Sequence, residues 1–147
     1  MSRNGTSQKE LNERLLSTLK TWQKIEEKSI ESIEALQQEI KNPLVKQVFE
    51  IIQNDSAQHK RVQQFIIDSL EKQAISLTPD ELSTIGSAIE NHIKLERETI
   101  RLGSEAKEAS SNFVHKYFLN YLLTDERKHD DLLDQLDNIR SKIYPYA

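Results

Sequence analysis

The sequence predicts an all-α fold, an antiparallel four-helix bundle built from two similar helical hairpins. Three observations carry this expectation. The 147 residues include only 3 Gly and 3 Pro in a background of Glu, Lys, Gln, Leu and Ile, which favours helix almost throughout. The few turn signals divide the chain into four long stretches, each of bundle length. Shifting the first half by 70 positions also lays Lys24 on Lys94, Glu26 on Glu96, Ile30 on Ile100, Asn42 on Asn112 and Lys46 on Lys116.

The first helix is expected over about 7–41, stopping at Asn42-Pro43 because proline disfavours helix in the residue before it. Pro43 suits a first helical turn, so the second helix is expected over about 43–72. Gln73 to Leu77 reads as a short connector. Thr78-Pro79-Asp80-Glu81 is a strong helix start: Thr78 as N-cap, proline next, acids in the first turn, and Glu81 placed to complete a capping box. The third helix is expected over about 79–108. Ala109-Ser110-Ser111-Asn112 breaks it, the fourth is expected over about 112–143, and Pro145 closes the chain.

The length fits a single four-helix domain over residues 1–147. A net charge of -4 gives no electrostatic footprint for nucleic acid. The chain has no cysteine, which excludes disulfide scaffolds, thiol catalysis and iron–sulfur clusters. Met1 to Gln8 is polar and reads as neither signal peptide nor anchor, and no run approaches the ~20 apolar residues of a membrane span. The expectation is a soluble cytoplasmic protein that engages neither membrane nor nucleic acid.

Heptad spacing selects one face on each helix. The first gives Leu15, Leu19, Trp22, Glu26, Ile30, Ile33 and Leu36; the second gives Val48, Ile52, Asp55, His59, Val62, Ile66 and Ser69. The third gives Ile85, Ile89, His92, Glu96, Ile100 and Gly103; the fourth gives Phe118, Leu122, Asp125, His129, Leu132, Leu136 and Ile139. Each series is apolar at its ends and polar in the middle. Glu26 lies 16 residues before Asn42 and His59 lies 17 after it; Glu96 and His129 stand in the same relation to Asn112. At ~1.5 Å per residue, both hairpins deliver their polar groups to one layer about 25 Å from the turn.

Singly, each of these residues has an ordinary explanation. A glutamate at a core position can fix register, and a histidine on an apolar face is usually hydrogen-bonded core. Together, Glu26, Asp55, His59, His92, Glu96, Asp125, Glu126 and His129 converge with no arginine in the same register. Buried unpaired carboxylates cost several kcal/mol or protonate, whereas one divalent cation neutralises two or three of them. A metal site or a proton-linked network follows.

A Glu on each of two helices plus Glu-x-x-His on the other two is the ligand pattern of ferritin-like di-iron carboxylate proteins. Glu126-Arg127-Lys128-His129 keeps that motif, with Glu26 and Glu96 on the companion helices, and over about residues 15–140 the sequence resembles a small rubrerythrin-type domain. The resemblance implies that Glu26 and Glu96 bridge the metals, that Glu126, His129 and His59 are terminal ligands, and that Asp55 and Asp125 orient the histidines of the opposite hairpin. Tyr121, one turn before Asp125, would hydrogen-bond near the metal or pack in the core. The cofactor implied is iron, with manganese or zinc as alternatives. The function implied is non-haem metal chemistry towards peroxide, oxygen or ferrous iron, supported by an external reductant.

Two departures stand out. Ser56 occupies the place of the second helix's glutamate, leaving five ligands, with His92 available one turn before Glu96 as a sixth. The connector could span at most ~18 Å, too short to run back along a ~45 Å helix as ferritin-like chains do. A simple up-down-up-down bundle or a homodimer with swapped hairpins satisfies that constraint, and the swapped dimer keeps the motif helices antiparallel. The competing functional expectation is a non-catalytic bundle with a degenerate site that serves as a structural or partner-binding module.

Overall fold

A computed structural model describes residues 5–72 and 78–143, the side chains of Leu82, Arg140, Ser141 and Ile143 excepted. The connector expected at residues 73–77 lies outside the described residues. The described chain forms four helices: α1 (Gln8–Glu39), α2 (Pro43–Glu71), α3 (Pro79–Ala109) and α4 (Phe113–Ile143). None is long and apolar enough to cross a membrane.

The helix starts follow from local chemistry. Thr78 and Glu81 form the expected reciprocal cap, the Thr78 hydroxyl accepting from the Glu81 N–H at 3.2 Å and the Glu81 carboxylate from the Thr78 N–H at 2.7 Å. Ser7 and Glu10 make the same box at the head of α1, which sequence reading did not single out. Asn42 and Asn112, equivalent under the 70-residue shift, play one role twice. Asn42 Oδ1 accepts from the N–H groups of Leu44 (2.9 Å) and Val45 (3.3 Å), and Asn112 Oδ1 from those of Val114 (2.9 Å) and His115 (3.2 Å).

Packing divides the chain into two compact units, α1 on α2 and α3 on α4. In the first, Leu19, Glu26 and Ile33 recur every seven residues along α1 and are buried together with Ser56, Gln63 and Ile67 of α2. In the second, Ile89 and Leu123 are buried, and Glu96 and Gly103 continue the same seven-residue series as half-buried positions. Gly103 is small for a reason: a Cβ there would lie 2.9 Å from Leu123 Cδ2. The equivalent positions in the first hairpin hold Ile33 and Gln53, so the larger apolar residue has changed sides. Gln53 Nε2 instead reaches the Ile30 carbonyl at 3.5 Å.

Burial departs from the heptad reading in one respect. Several residues assigned to a common core stay exposed, among them Leu15 (42%), Trp22 (50%), Ile52, Val62, Leu122 and Leu132 (56%). A hairpin covers only the seam between its own two helices, whereas an amphipathic stripe is more than about 100° wide. The flank of the stripe therefore remains open on each unit.

One ion pair recurs with its signs exchanged. Lys60 bonds Glu27 in the first hairpin; at the equivalent positions Arg97 faces Asp130 at 3.9 Å. Either polarity serves, since a partly exposed pair contributes little more than about 1 kcal/mol.

Candidate metal centre

The polar layer forms in both hairpins at the depth the residue count requires, but with different contents. In the second hairpin Glu96 projects from the middle of α3 into the seam. Antiparallel α4 brings Glu126 and His129 opposite it, three residues apart and thus on one face. One ligand atom from each of Glu96, Glu126 and His129 lies within 4.8 Å of the others. His129 Nδ1 is 3.7 Å from Glu96 Oε1 and 3.7 Å from Glu126 Oε2.

Thr99 adds a fourth member. Its hydroxyl lies 3.0 Å from Glu126 Oε2 and 2.7 Å from its own helix's Glu96 carbonyl, and its single proton serves one acceptor at a time. The first hairpin shows the matching arrangement, with Ser56 Oγ 3.4 Å from Ser29 Oγ. Sequence reading missed both hydroxyls, although the 70-residue shift lays Ser29 on Thr99.

The two carboxylates of the second hairpin act on each other. A hydrogen bond shared with Glu126 raises the Glu96 pKa most, and burial and the Glu126 charge push the same way; His129 and His92 oppose them. The Glu126 carboxyl is held below its ordinary value, first by that same bond and then by Thr99. With both groups ionised, Glu96 Oε2 is buried without a hydrogen-bond partner. A proton on Glu96 supplies the missing bond, and so would a cation.

The first hairpin brings its two expected ligands, Glu26 and His59, side by side. His59 Nδ1 lies 3.2 Å from Glu26 Oε1; Glu26 is 8% exposed, whereas the His59 side chain is 57% exposed. Ser56, where the motif needs a third ligand, is buried. Asp55 is half-buried beside it.

His92 is exposed on α3 and is not part of the three-residue cluster. Asp125 accepts from Lys128 Nζ at 2.9 Å and from the Tyr121 hydroxyl at 3.3 Å, both on its own helix. Lys128 is also the first cause of its lowered pKa. Spacing favours this pair, because residues three apart on a helix are neighbours on its surface.

Comparison with protein-family models, characterised proteins and solved structures finds no match to this chain.

Proposed function

We propose that the chain binds a divalent transition metal at Glu96, Glu126 and His129, with iron or manganese as the intended ion and zinc as an alternative. The observation that carries this reading is the convergence of three donor groups within 4.8 Å of one another, one of them a carboxylate whose Oε2 is buried without a hydrogen-bond partner. Metal–donor bonds of ~2.0–2.2 Å put bound donors at most about 4.4 Å apart, so the cluster needs only a small contraction. A mixed carboxylate–imidazole set is the donor chemistry those ions favour.

The open apolar flanks support a further part of the proposal. Covering them by hairpin-on-hairpin packing gives a ferritin-like four-helix bundle, with a hairpin-swapped homodimer as the assembly that the short connector favours. Glu26 and His59 then join the metal layer as additional ligands. When bound, iron would supply one-electron chemistry towards peroxide, oxygen or ferrous ion, with electrons from an external reductant. The chain's own residues hold the donors at fixed depth and keep the Glu96 carboxylate half-buried in the seam.

The second reading is a non-catalytic helical module, and Ser56 favours it for the first hairpin, whose layer closes on hydroxyls. Metal-free protein titrated anaerobically with ferrous, manganous and zinc ions tests the choice. Saturable uptake that is lost in Glu126→Ala supports the metal site. Ferrous oxidation faster than in buffer separates an enzyme from a binder. Absence of uptake with unchanged stability in Glu126→Ala would leave the structural module.

A further inference from the structure

A second feature of the α3–α4 hairpin lies apart from the metal cluster. Near the turn between the helices, an open groove of about 370 Å³ is lined by Ser104, Lys107, Glu108, Lys116, Leu123 and Arg127. Its volume falls in the ~300–1,000 Å³ range of small-ligand pockets, but Leu123 is its only large apolar side chain. The lining therefore selects a small polar ligand. Arg127 follows Glu126 directly and points about 100° further round α4, so the groove and the metal donors occupy different faces.

Its charge is unusual for this molecule. The chain has 24 acidic residues against 20 basic ones, yet the groove gathers three cations and one carboxylate. Among the described residues the side chains of Lys107, Lys116 and Arg127 make no ion pair or hydrogen bond, although several other cations of the chain are paired.

The duplicated hairpin supplies an internal control. The same groove occurs between α1 and α2, lined by Gln37, Lys46, Glu50, Gln53 and Asn54. Lys46 is the counterpart of Lys116, but Gln37 stands where the second hairpin has Lys107, and Ala57 where it has Arg127. That first groove carries one cation and one anion and is neutral. Helix propensity does not explain the change, because glutamine, lysine, alanine and arginine are all good helix formers. Of the two copies of the groove, the α3–α4 one carries the larger positive charge.

We infer that the α3–α4 groove binds a tetrahedral oxyanion, free phosphate or the phosphoryl group of a small metabolite, through Lys107, Lys116 and Arg127. Arg127 offers a planar fork of donors and the two lysines offer mobile point charges, the combination that recognises phosphate oxygens. Glu108, also in the lining, leaves the groove a surplus of two positive charges.

The test uses the full-length metal-free protein at low ionic strength. Amide NMR spectra are followed during titration with inorganic phosphate, with chloride at matched ionic strength as control. Saturable shifts are expected at Lys107, Lys116 and Arg127, without corresponding shifts at Gln37, Lys46 and Gln53. The combined Lys107→Gln, Lys116→Gln and Arg127→Gln variant should bind at least tenfold more weakly with an unchanged helical spectrum, whereas Lys46→Gln should bind as the parent does. A parallel titration with O-phosphoserine distinguishes the sources: tighter binding than phosphate assigns the groove to a phosphorylated metabolite, and equal or weaker binding to the free anion. Equal shifts in both grooves, shifts reproduced by chloride, or no saturation would overturn the inference. Should the triple variant unfold, Arg127→Gln alone, on an exposed position, carries the same comparison.

Discussion

Replacing Glu96 by glutamine should stabilise the metal-free protein and abolish its response to metal. Glu96 Oε2 is buried and lacks a partner when ionised, a state that costs roughly 1–3 kcal/mol. Glutamine has nearly the same shape, carries no charge, and can donate its amide N–H to Glu126. For a chain of this size 1 kcal/mol moves the melting temperature by about 4 °C, so the metal-free variant should melt ~4–12 °C above the parent. Metal at about 100 times its dissociation constant should add ~2.7 kcal/mol to the parent and almost nothing to the variant. The gap between the two proteins should therefore narrow sharply or reverse when metal is added. The pH dependence follows from the same group. The Glu96 pKa is raised from an ordinary 4.5, chiefly by the bond to Glu126, so the folded state holds that proton more tightly than the unfolded chain. Its stabilising contribution is complete below the ordinary value and is lost as pH rises through the raised one. Metal-free parent should lose stability over that window, and Glu96→Gln should not. Differential scanning calorimetry of both proteins, with and without metal, makes the measurement. A metal-free variant that melts at or below the parent, or an equal metal-induced rise in both, would refute the reasoning.

Three other substitutions probe the duplication. Ser56→Glu rebuilds the missing ligand beside Glu26 and His59; it should cost roughly 1–3 kcal/mol without metal and raise metal bound per chain in elemental analysis. Gln63 is buried with both amide atoms unpartnered, and its counterpart is Leu133. Gln63→Leu should thus gain roughly 1–3 kcal/mol in urea unfolding with an unchanged denaturant slope. Gly103→Ala gains about 1 kcal/mol of helix propensity but sets a Cβ 2.9 Å from buried Leu123, a crowding worth roughly 1–3 kcal/mol, so the net effect should be a loss of up to ~2 kcal/mol. Adding Leu123→Val should recover part of that loss if crowding is its cause.

What was legible in the sequence was what short-range chemistry or regular geometry fixes. Asn42-Pro43 and Thr78-Pro79-Asp80-Glu81 set helix starts because a cap involves only the residues beside it. Counting from Asn42 and Asn112 placed Glu26 against His59 and Glu96 against His129 because helical rise is constant. The side of the stripe that would be buried was not legible. Leu15 and Leu19 both satisfy the heptad, yet Leu19 is in the seam and Leu15 on the open flank, since periodicity gives a direction only to within the width of the stripe. Ser29 and Thr99 were invisible for a different reason. Hydroxyls on helices commonly bond their own backbone, as Thr18 does to Arg14 and Thr84 to Asp80, so nothing marks the two that reach across the seam.

The difference between the two polar layers is electrostatic before it is steric. With neutral histidines, Glu26 is the only charge among Glu26, Ser29, Ser56 and His59, and His59 lies 3.2 Å from it. The equivalent set of Glu96, Thr99, Glu126 and His129 carries two carboxylates and one imidazole. No lysine or arginine figures among the charges acting on Glu96 or Glu126. His129 cannot neutralise both, being 3.7 Å from each. The surplus negative charge must be met by a proton or by a cation, and a proton becomes a poorer solution as pH rises above the carboxylate range. Glutamate in place of serine, three residues before the hairpin histidine, thus turns a layer with one carboxylate into one with two.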